Sequence, residues 1–324
     1  MSALEKLLKV MDSRNVDRSV FDDMQTGHMM VSGHQLLSLR QIPGLDIESE
    51  PSQDGIVARI CVRRDVHLAR PLHLCFGVLS SSGLQHIETR LVLEEGAVAD
   101  VIAHCFFPNA RQVEHRMDAL VEIGENARLT YNEGHYHGIY GGVTVLPKAR
   151  VKVGRHGQYL SDFSLTSGQV GTLKIDYEVE VAERAVVELT ARIFGHRTDT
   201  IRIRERLILA GEASRGMIKT RVAVEDEASA EIIGITEGNA AGARGHMDCL
   251  EIVRGRATAS AQPEVRVSHP EAKITHEAAI GSVDHHQLET LMAHGLSPEA
   301  AVDLIVGGLL GRQESKNAGS LASQ

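Results

Sequence analysis

Three residues in the C-terminal third of the chain have side chains that can bind a transition metal. Cys249 supplies a thiol, and the adjacent His276 and Glu277 supply an imidazole and a carboxylate. Iron and zinc accept all three kinds of ligand. A strand cysteine that fills a small gap, beside a surface His-Glu pair, is the more common arrangement in proteins. The choice between the two depends on how closely the fold brings Cys249 to the other two residues.

A weaker metal candidate lies in the middle of the chain, in the segment GHYHG. His135 and His137 are two residues apart, so they share one face of a strand and can chelate a metal together with Glu133. Exposed strand histidines beside a glycine-rich turn are equally common, and both interpretations stay open. No P-loop, GxGxxG or GxSxG motif occurs. We therefore expect the chain itself to bind no nucleotide.

A repeated pattern predicts the elements that must position these residues. In this pattern, apolar residues at positions i and i+2 are followed by a polar corner and then by a small residue. The small residue recurs every 28 or 30 positions, at Ala97, Ala127, Gly157, Ala185 and Ala213. The flanking runs alternate apolar and polar, as half-buried strands do. Between about 90 and 280 no helical pattern separates them, so we predict a flattened two-sheet β-helix. An antiparallel β-sandwich with coincidental spacing is the alternative.

This coil length has a consequence for the first metal candidate. Cys249 and Glu277 are 28 residues apart, about one coil, which predicts that they lie on neighbouring strands roughly 4.8 Å apart. His276 and Glu277 would point to opposite faces of a regular strand. Both can serve one site only near a bend, an edge or an interface.

Four segments follow from these patterns. We predict an N-terminal helical and irregular segment with the first strands (1–89), a β-helix core (90–281), a C-terminal helix pair (282–311) and a disordered tail (312–324). In the helix pair, Gly295 is a candidate to end the first helix. Ser297 and Pro298 then form a favourable N-cap and first position for the second helix.

Composition excludes several classes of function. The 324 residues carry a net charge of −9 and contain 3% aromatic residues and no Trp. The negative charge disfavours binding to nucleic acid or to an anionic membrane. The low aromatic content disfavours a sugar-binding cleft, which needs rings for stacking. We also predict a cytoplasmic protein, because there is no secretory signal or membrane helix and the four cysteines form no CxxC pair.

The C-terminal region also resembles a known family. The pair DC at 248–249, the run THEA at 275–278 and the segment GLSPEAAVDLIVGG at 295–308 are similar to the core of the SufB/SufD iron–sulfur cluster assembly proteins. The repeated strands from about residue 90 resemble the right-handed β-helix of the same family. Together the resemblance covers about 220 residues.

The resemblance implies a function for each candidate residue. Cys249 and Glu277 match residues implicated in building the nascent cluster in SufB, and His276 matches its counterpart in SufD. Since one chain carries all three, we expect a homodimer with a transient cluster at the interface, acting as a scaffold and not as an enzyme. The alternative is a SufD-like structural subunit that binds the ATPase and a SufB partner but carries no cluster. An enzyme on a β-helix, such as a polysaccharide lyase, is disfavoured.

The resemblance also implies partners. The C-terminal helices of the family dock on SufC, an ABC-type ATPase, and a sulfur donor and apo client proteins are further expected partners. Cys105 is an unsupported candidate for the sulfur-receiving cysteine of the SufB branch. The expected ATPase-binding residues are Gln287, Leu288, Leu291, Met292, Leu296, Ile305 and Leu309.

Overall fold

The chain folds into a two-sheet β-solenoid with helices at both ends, as the repeat pattern predicts. In this computed structural model, 58% of the chain is strand, wound into about eight turns. The structure describes residues 2–13, 16, 18–53 and 55–311. The predicted disordered tail, 312–324, lies outside the described residues.

From β4 onward consecutive strands alternate between the two sheets, so each coil contributes one strand to each sheet. Sheet A contains β1 (His28–Ser32), β2 (Gln35–Arg40), β5 (Leu72–Gly77), β7 (Val98–Phe107), β9 (Arg128–His137), β11 (Gln158–Leu165), β13 (Val186–Gly195), β15 (Arg215–Val224), β17 (Arg244–Val253) and β19 (Lys273–Gly281). Sheet B contains β3 (Leu45–Pro51), β4 (Gly55–Val62), β6 (Ser82–Leu93), β8 (Gln112–Ile123), β10 (Val143–Val153), β12 (Gly171–Val181), β14 (Thr200–Leu209), β16 (Ser229–Gly238) and β18 (Thr258–Val267).

Neighbouring strands pair in parallel and in register, which excludes the antiparallel sandwich. The exceptions lie at the N-terminal end, where β1 pairs with β2 and β3 pairs with β4 in antiparallel fashion. Along β12 every second residue is buried, for example Ile175, Tyr177, Val179 and Val181. The core therefore fills the interior between the two sheets, as the period-two alternation predicts.

Small residues pack inside the corners of the coils. Ala97, Ala127 and Ala185 are at most 1% exposed, and each opens the run into the next strand. The residues before the last two, Asn126 and Arg184, have φ of 56° and 53°. This left-handed conformation reverses the chain in a short turn. A small residue then fits where the turn approaches the interior.

Helices cover the outside of sheet A at each end. Helix α1 (Ala3–Ser13) buries Leu7 and Met11, and a 3₁₀ turn follows at Ser19–Phe21. Helices α2 (His285–Ala293) and α3 (Pro298–Leu309) form the predicted C-terminal pair. The Ser297 hydroxyl accepts a hydrogen bond from the Ala300 N–H, as expected of the predicted cap.

Candidate functional site

The solenoid ends at its last coil, where both sheets present an edge. Strands β19 and β18 are the terminal strands of sheet A and sheet B, and each pairs with a neighbour on one side only. Along β18 no residue is buried, whereas β16, its neighbour, has seven buried residues among ten. Val267 and Ile280 are 51% and 46% exposed. The interior of the solenoid is thus open at this end among the described residues.

Cys249 lies one strand inside this open end. It points into the solenoid from β17, is 4% exposed, and has Thr220 and Ala278 as its register partners on β15 and β19. Burial, assisted by the nearby Glu251 and opposed by the adjacent Thr220 hydroxyl, raises the pKa of the Cys249 thiol to about 12. The thiol is therefore protonated at neutral pH in the isolated chain.

His276 and Glu277 lie on the edge strand itself. His276 is the register partner of Met247 and shares the inner face with Cys249, whereas Glu277 is the partner of Asp248 on the outer face. Both residues are exposed. The structure confirms that Cys249 and Glu277 lie on neighbouring strands, but it places their side chains on opposite faces of the sheet. Within one chain, only Cys249 and His276 share a face.

Asp248 is a candidate that the spacing argument missed. Its carboxylate forms an ion pair with Arg221, which holds the pKa of Asp248 below its usual value. On the same outer face, His246 Nδ1 lies 2.8 Å from Thr275 Oγ1. The DC pair and a coil of 29 residues, instead of 28, would have identified Asp248 as the neighbour of Glu277.

Two buried carboxyl groups were also missed. Glu251 follows Cys249 on the inner face of β17, and neither of its carboxyl oxygens has a hydrogen-bond partner among the described residues. Glu205 points inward from β14, and its Oε2 likewise lacks a partner in this part of the chain. Burial raises the pKa of Glu251 to about 7 and that of Glu205 to about 8. Glu205 lies between Ile203 and Leu207 on the inward face of β14, so an acidic residue at an otherwise apolar position is the sequence signal that could have identified it.

The weaker metal candidates, His135 and His137, lie elsewhere in the fold. They point into the solenoid from β9 and are 2% and 0% exposed. The alternative of exposed strand histidines is therefore wrong, because inward positions of a middle strand are covered by the coils on both sides. Cys75 and Cys105 are buried, as expected of core residues, while Cys61 is half-buried.

The two C-terminal helices differ in exposure. In α3, Val306 is buried against the outside of sheet A, and Ile305 and Leu309 pack around it. Helix α2 has no buried residue, and Met292 is 41% exposed. The expected ATPase-binding residues Gln287 and Met292 are thus accessible, while Leu288, Leu291, Leu296, Ile305 and Leu309 are half-buried.

Sequence comparison assigns the fold and this end of the solenoid to a family. The family model of the SUF system FeS cluster assembly, SufBD core domain, matches residues 77–309. The chain belongs to the SufBD family. This SufBD protein is 35% identical over 314 residues to an iron–sulfur cluster assembly SufBD family protein of Methanocaldococcus jannaschii, covering 96% of this chain and 99% of the relative.

Relatives of two lengths occur among the matches. A SufBD family protein of Pyrococcus horikoshii is 33% identical, with 95% of this chain and 93% of the relative covered. A second one from the same organism is 28% identical, and the match covers 77% of this chain but only 56% of the relative. The match to this longer relative is thus confined to just over half of its length.

None of the helices described is long and apolar enough to cross a membrane.

Proposed function

We propose that this SufBD protein is a scaffold subunit that builds a nascent iron–sulfur cluster between two copies of the chain. The open end of the solenoid is the observation that carries the proposal. It exposes His276 and Glu277 on edge strand β19 and lies one strand from Cys249. An edge strand is a template for pairing with another chain. Pairing through β18 and β19 would enclose the three candidate ligands.

An interface explains why the ligands face different ways. In one chain Glu277 points outward while Cys249 and His276 point inward. Across a two-fold axis, an outward-pointing residue of one chain and an inward-pointing residue of the other can approach a common site. The same interface would exclude water from an assembled cluster.

The candidate ligands suit a cluster that is bound transiently and then passed on. Stable iron–sulfur sites usually have four thiolates, and this set has one cysteine per chain with an imidazole and a carboxylate. Such ligands are easily replaced, so they favour transfer to an apo client protein. We infer that Cys249 accepts sulfur or binds iron, Glu277 binds or orients iron, and His276 completes the site. If Cys249 accepts sulfur, a donor persulfide must transfer its outer sulfur to the thiolate and leave as a thiolate; if Cys249 binds iron, the donor must supply sulfide.

A SufC-type ABC ATPase is the proposed partner at the C-terminal helices. Helix α2 is the accessible element, with Met292 exposed and no residue buried. Helix α3 holds the pair against the outside of sheet A through Val306. Movement of docked ATPase subunits would then be transmitted to the coils that carry Cys249. We infer a cytoplasmic location, where free cysteines such as these stay reduced.

One observation favours the second candidate, a SufD-like structural subunit without a cluster. Cys249 is buried, and its pKa of about 12 leaves almost no thiolate at neutral pH. A thiolate is the form that accepts sulfur or binds iron. The scaffold function therefore requires that the dimer, bound iron or the ATPase changes the surroundings of this thiol.

Anaerobic reconstitution with iron and sulfide separates the two functions. Wild type is compared with Cys249→Ala and with Cys61→Ala, which removes a half-buried thiol far from the open end. A scaffold gives visible charge-transfer absorption and bound iron in wild type and Cys61→Ala, and neither in Cys249→Ala. Equal colour in all three proteins contradicts the role of Cys249. No colour in any of them, with ATPase binding intact, indicates the structural subunit.

A further inference from the structure

A second group of metal-binding side chains is enclosed within the solenoid. Cys105 on β7, His115 on β8, and Glu133, His135 and His137 on β9 all point inward, and none is more than 4% exposed. We call these five residues the Cys105 cluster. In sheet A, β7 and β17 are separated by five strand spacings, or about 24 Å. The Cys105 cluster is therefore distinct from the site at the open end.

The ligand atoms of the cluster converge. One atom each from Cys105, Glu133 and His135 lie within 4.8 Å of one another. His135 Nε2 is 2.7 Å from Glu133 Oε1, and His115 Nε2 is 3.7 Å from Cys105 Sγ. His137 Nε2 is 3.4 Å from His135 Nδ1. Metal–sulfur and metal–nitrogen bonds of about 2.3 and 2.0 Å place tetrahedral ligands some 3 to 4 Å apart. Cys105, Glu133 and His135 thus lie close to the spacing that one ion requires, and His115 adjoins the group through Cys105 Sγ.

The surroundings make such a group costly without a cation. The Phe163 ring lies 4.7 Å from the His135 ring, and the Phe107 ring 5.0 Å from that of His115, measured between centroids. His115 Nδ1 has no hydrogen-bond partner among the described residues. Buried polar groups normally have partners or bind metals.

We propose that the Cys105 cluster binds one divalent transition metal, Fe²⁺ or Zn²⁺, through Cys105 Sγ, the Glu133 carboxylate and the imidazoles of His115 and His135. The thiolate and the carboxylate together neutralise the charge of the ion. On binding, the thiol of Cys105 loses its proton to the buffer. His137 lies beside His135 and orients its ring.

Burial determines how the metal enters. All four ligands lie between covered coils, so the ion is taken up while the chain folds, before the later coils close over β9. The protein is therefore tested after expression in medium containing Co²⁺, whose thiolate complexes absorb visibly. A Cys61→Ser/Cys249→Ser parent leaves Cys75 and Cys105 as the remaining thiols.

Two variants of this parent separate the thiols. Cys75 is the matched control, because it is also buried in sheet A but packs in the separate cluster under α1, with Leu7 and Met11. We expect one Co²⁺ per chain with thiolate absorption in the parent and in its Cys75→Ser variant. The Cys105→Ser variant should lose this absorption and at least nine-tenths of the metal. Equal absorption in Cys75→Ser and Cys105→Ser overturns the proposal.

Two measurements keep the proposal testable if Cys105→Ser does not fold. X-ray absorption of the Co²⁺-loaded parent should give one sulfur neighbour and nitrogen or oxygen neighbours. A spectrum without sulfur, or a parent without cobalt, overturns the assignment. The His115→Gln variant retains the thiol and should lower the metal content at least tenfold. Far-UV circular dichroism confirms that each variant compared is folded.

Discussion

Glu277 on β19 lies directly beside Asp248 on β17, on the outer face of sheet A. The two residues are 29 positions apart, one coil of the solenoid, and their side chains point the same way. Arg221 pairs with Asp248 and offsets part of the negative charge that the two carboxylates concentrate. The two carboxylates, one of them on the proposed iron ligand Glu277, are thus grouped on the outer face, while the Cys249 thiol lies on the inner face.

Removing the charge of Glu277 tests whether this outer pair contributes to cluster assembly. We expect Glu277→Gln to lower the iron retained after anaerobic reconstitution by about tenfold, because a carboxylate ligand is lost. Asp248→Asn should lower the retained iron less when it is added to Glu277→Gln than when it is made alone, because the effects of substitutions at neighbouring residues are not additive. Glu289→Gln on exposed helix α2 is the control. Unchanged iron in Glu277→Gln contradicts the assignment.

The edge strands predict how two chains associate. Val267 on β18 and Ile280 on β19 are exposed apolar residues at the open end. We expect Val267→Lys/Ile280→Lys to weaken the dimer by at least tenfold, because charges on an edge oppose strand pairing. Leu120→Lys is the matched control: Leu120 is 56% exposed on β8, in the middle of sheet B. Sedimentation velocity over a concentration series measures both, and an equal loss in the control would contradict the interface.

Buried Glu205 predicts a dependence of stability on pH. Burial raises its pKa in the folded state to about 8, above the 4.5 that is usual for a glutamate, so the folded state binds the proton more tightly. The resulting stability is fully present below about pH 4.5 and is lost as the pH rises through 8. Between pH 6 and pH 9 the loss is on the order of 2 to 3 kcal/mol. Chemical denaturation at pH 6 and pH 9 should show this fall in wild type.

Substituting the same carboxyl group tests its origin. In Glu205→Gln the fall between pH 6 and pH 9 should become smaller by about this amount, because the titrating group is absent. Glu180→Gln removes an exposed carboxylate from β12 and should behave as wild type does. If Glu205→Gln retains the full pH dependence, another buried group is responsible.

The cap of α3 predicts a link between helix stability and ATPase binding. Ser297→Ala removes the hydrogen bond to the Ala300 N–H and should destabilise the first turn of α3 by about 1 kcal/mol. Hydrogen exchange in this turn should accelerate, and affinity for the ATPase should fall with it. Ser282→Ala alters an exposed serine outside both helices and is the control. Faster exchange with unchanged affinity would exclude α3 from the docking surface.

The solenoid could be predicted because its sequence signal is local and repeated. Alternating burial and the small residues at corners, such as Ala127 and Ala185, recur in each coil, and the structure confirms both. The helix pair could be predicted for a similar reason, from Ser297, Pro298 and Gly295.

An average coil length does not predict to which face of the sheet each candidate side chain points. A difference of one residue, 28 against 29, exchanges Cys249 for Asp248 as the neighbour of Glu277 and reverses the face. Burial of His135 and His137 depends on coils that are distant in sequence. Convergence of Cys105 with Glu133 likewise requires the register of two strands, which spacing alone does not fix.

The two ends of the solenoid are chemically different, and this limits assembly. At the N-terminal end the terminal strand of sheet B, β3, has the sequence LDIESEP, with three acidic residues and a proline, and it pairs in antiparallel fashion with β4. Charges and proline discourage further strand addition. A chain with two adhesive ends would stack head to tail into a fibre. If pairing is confined to β18 and β19, the proposed association closes at two chains and does not continue into a polymer.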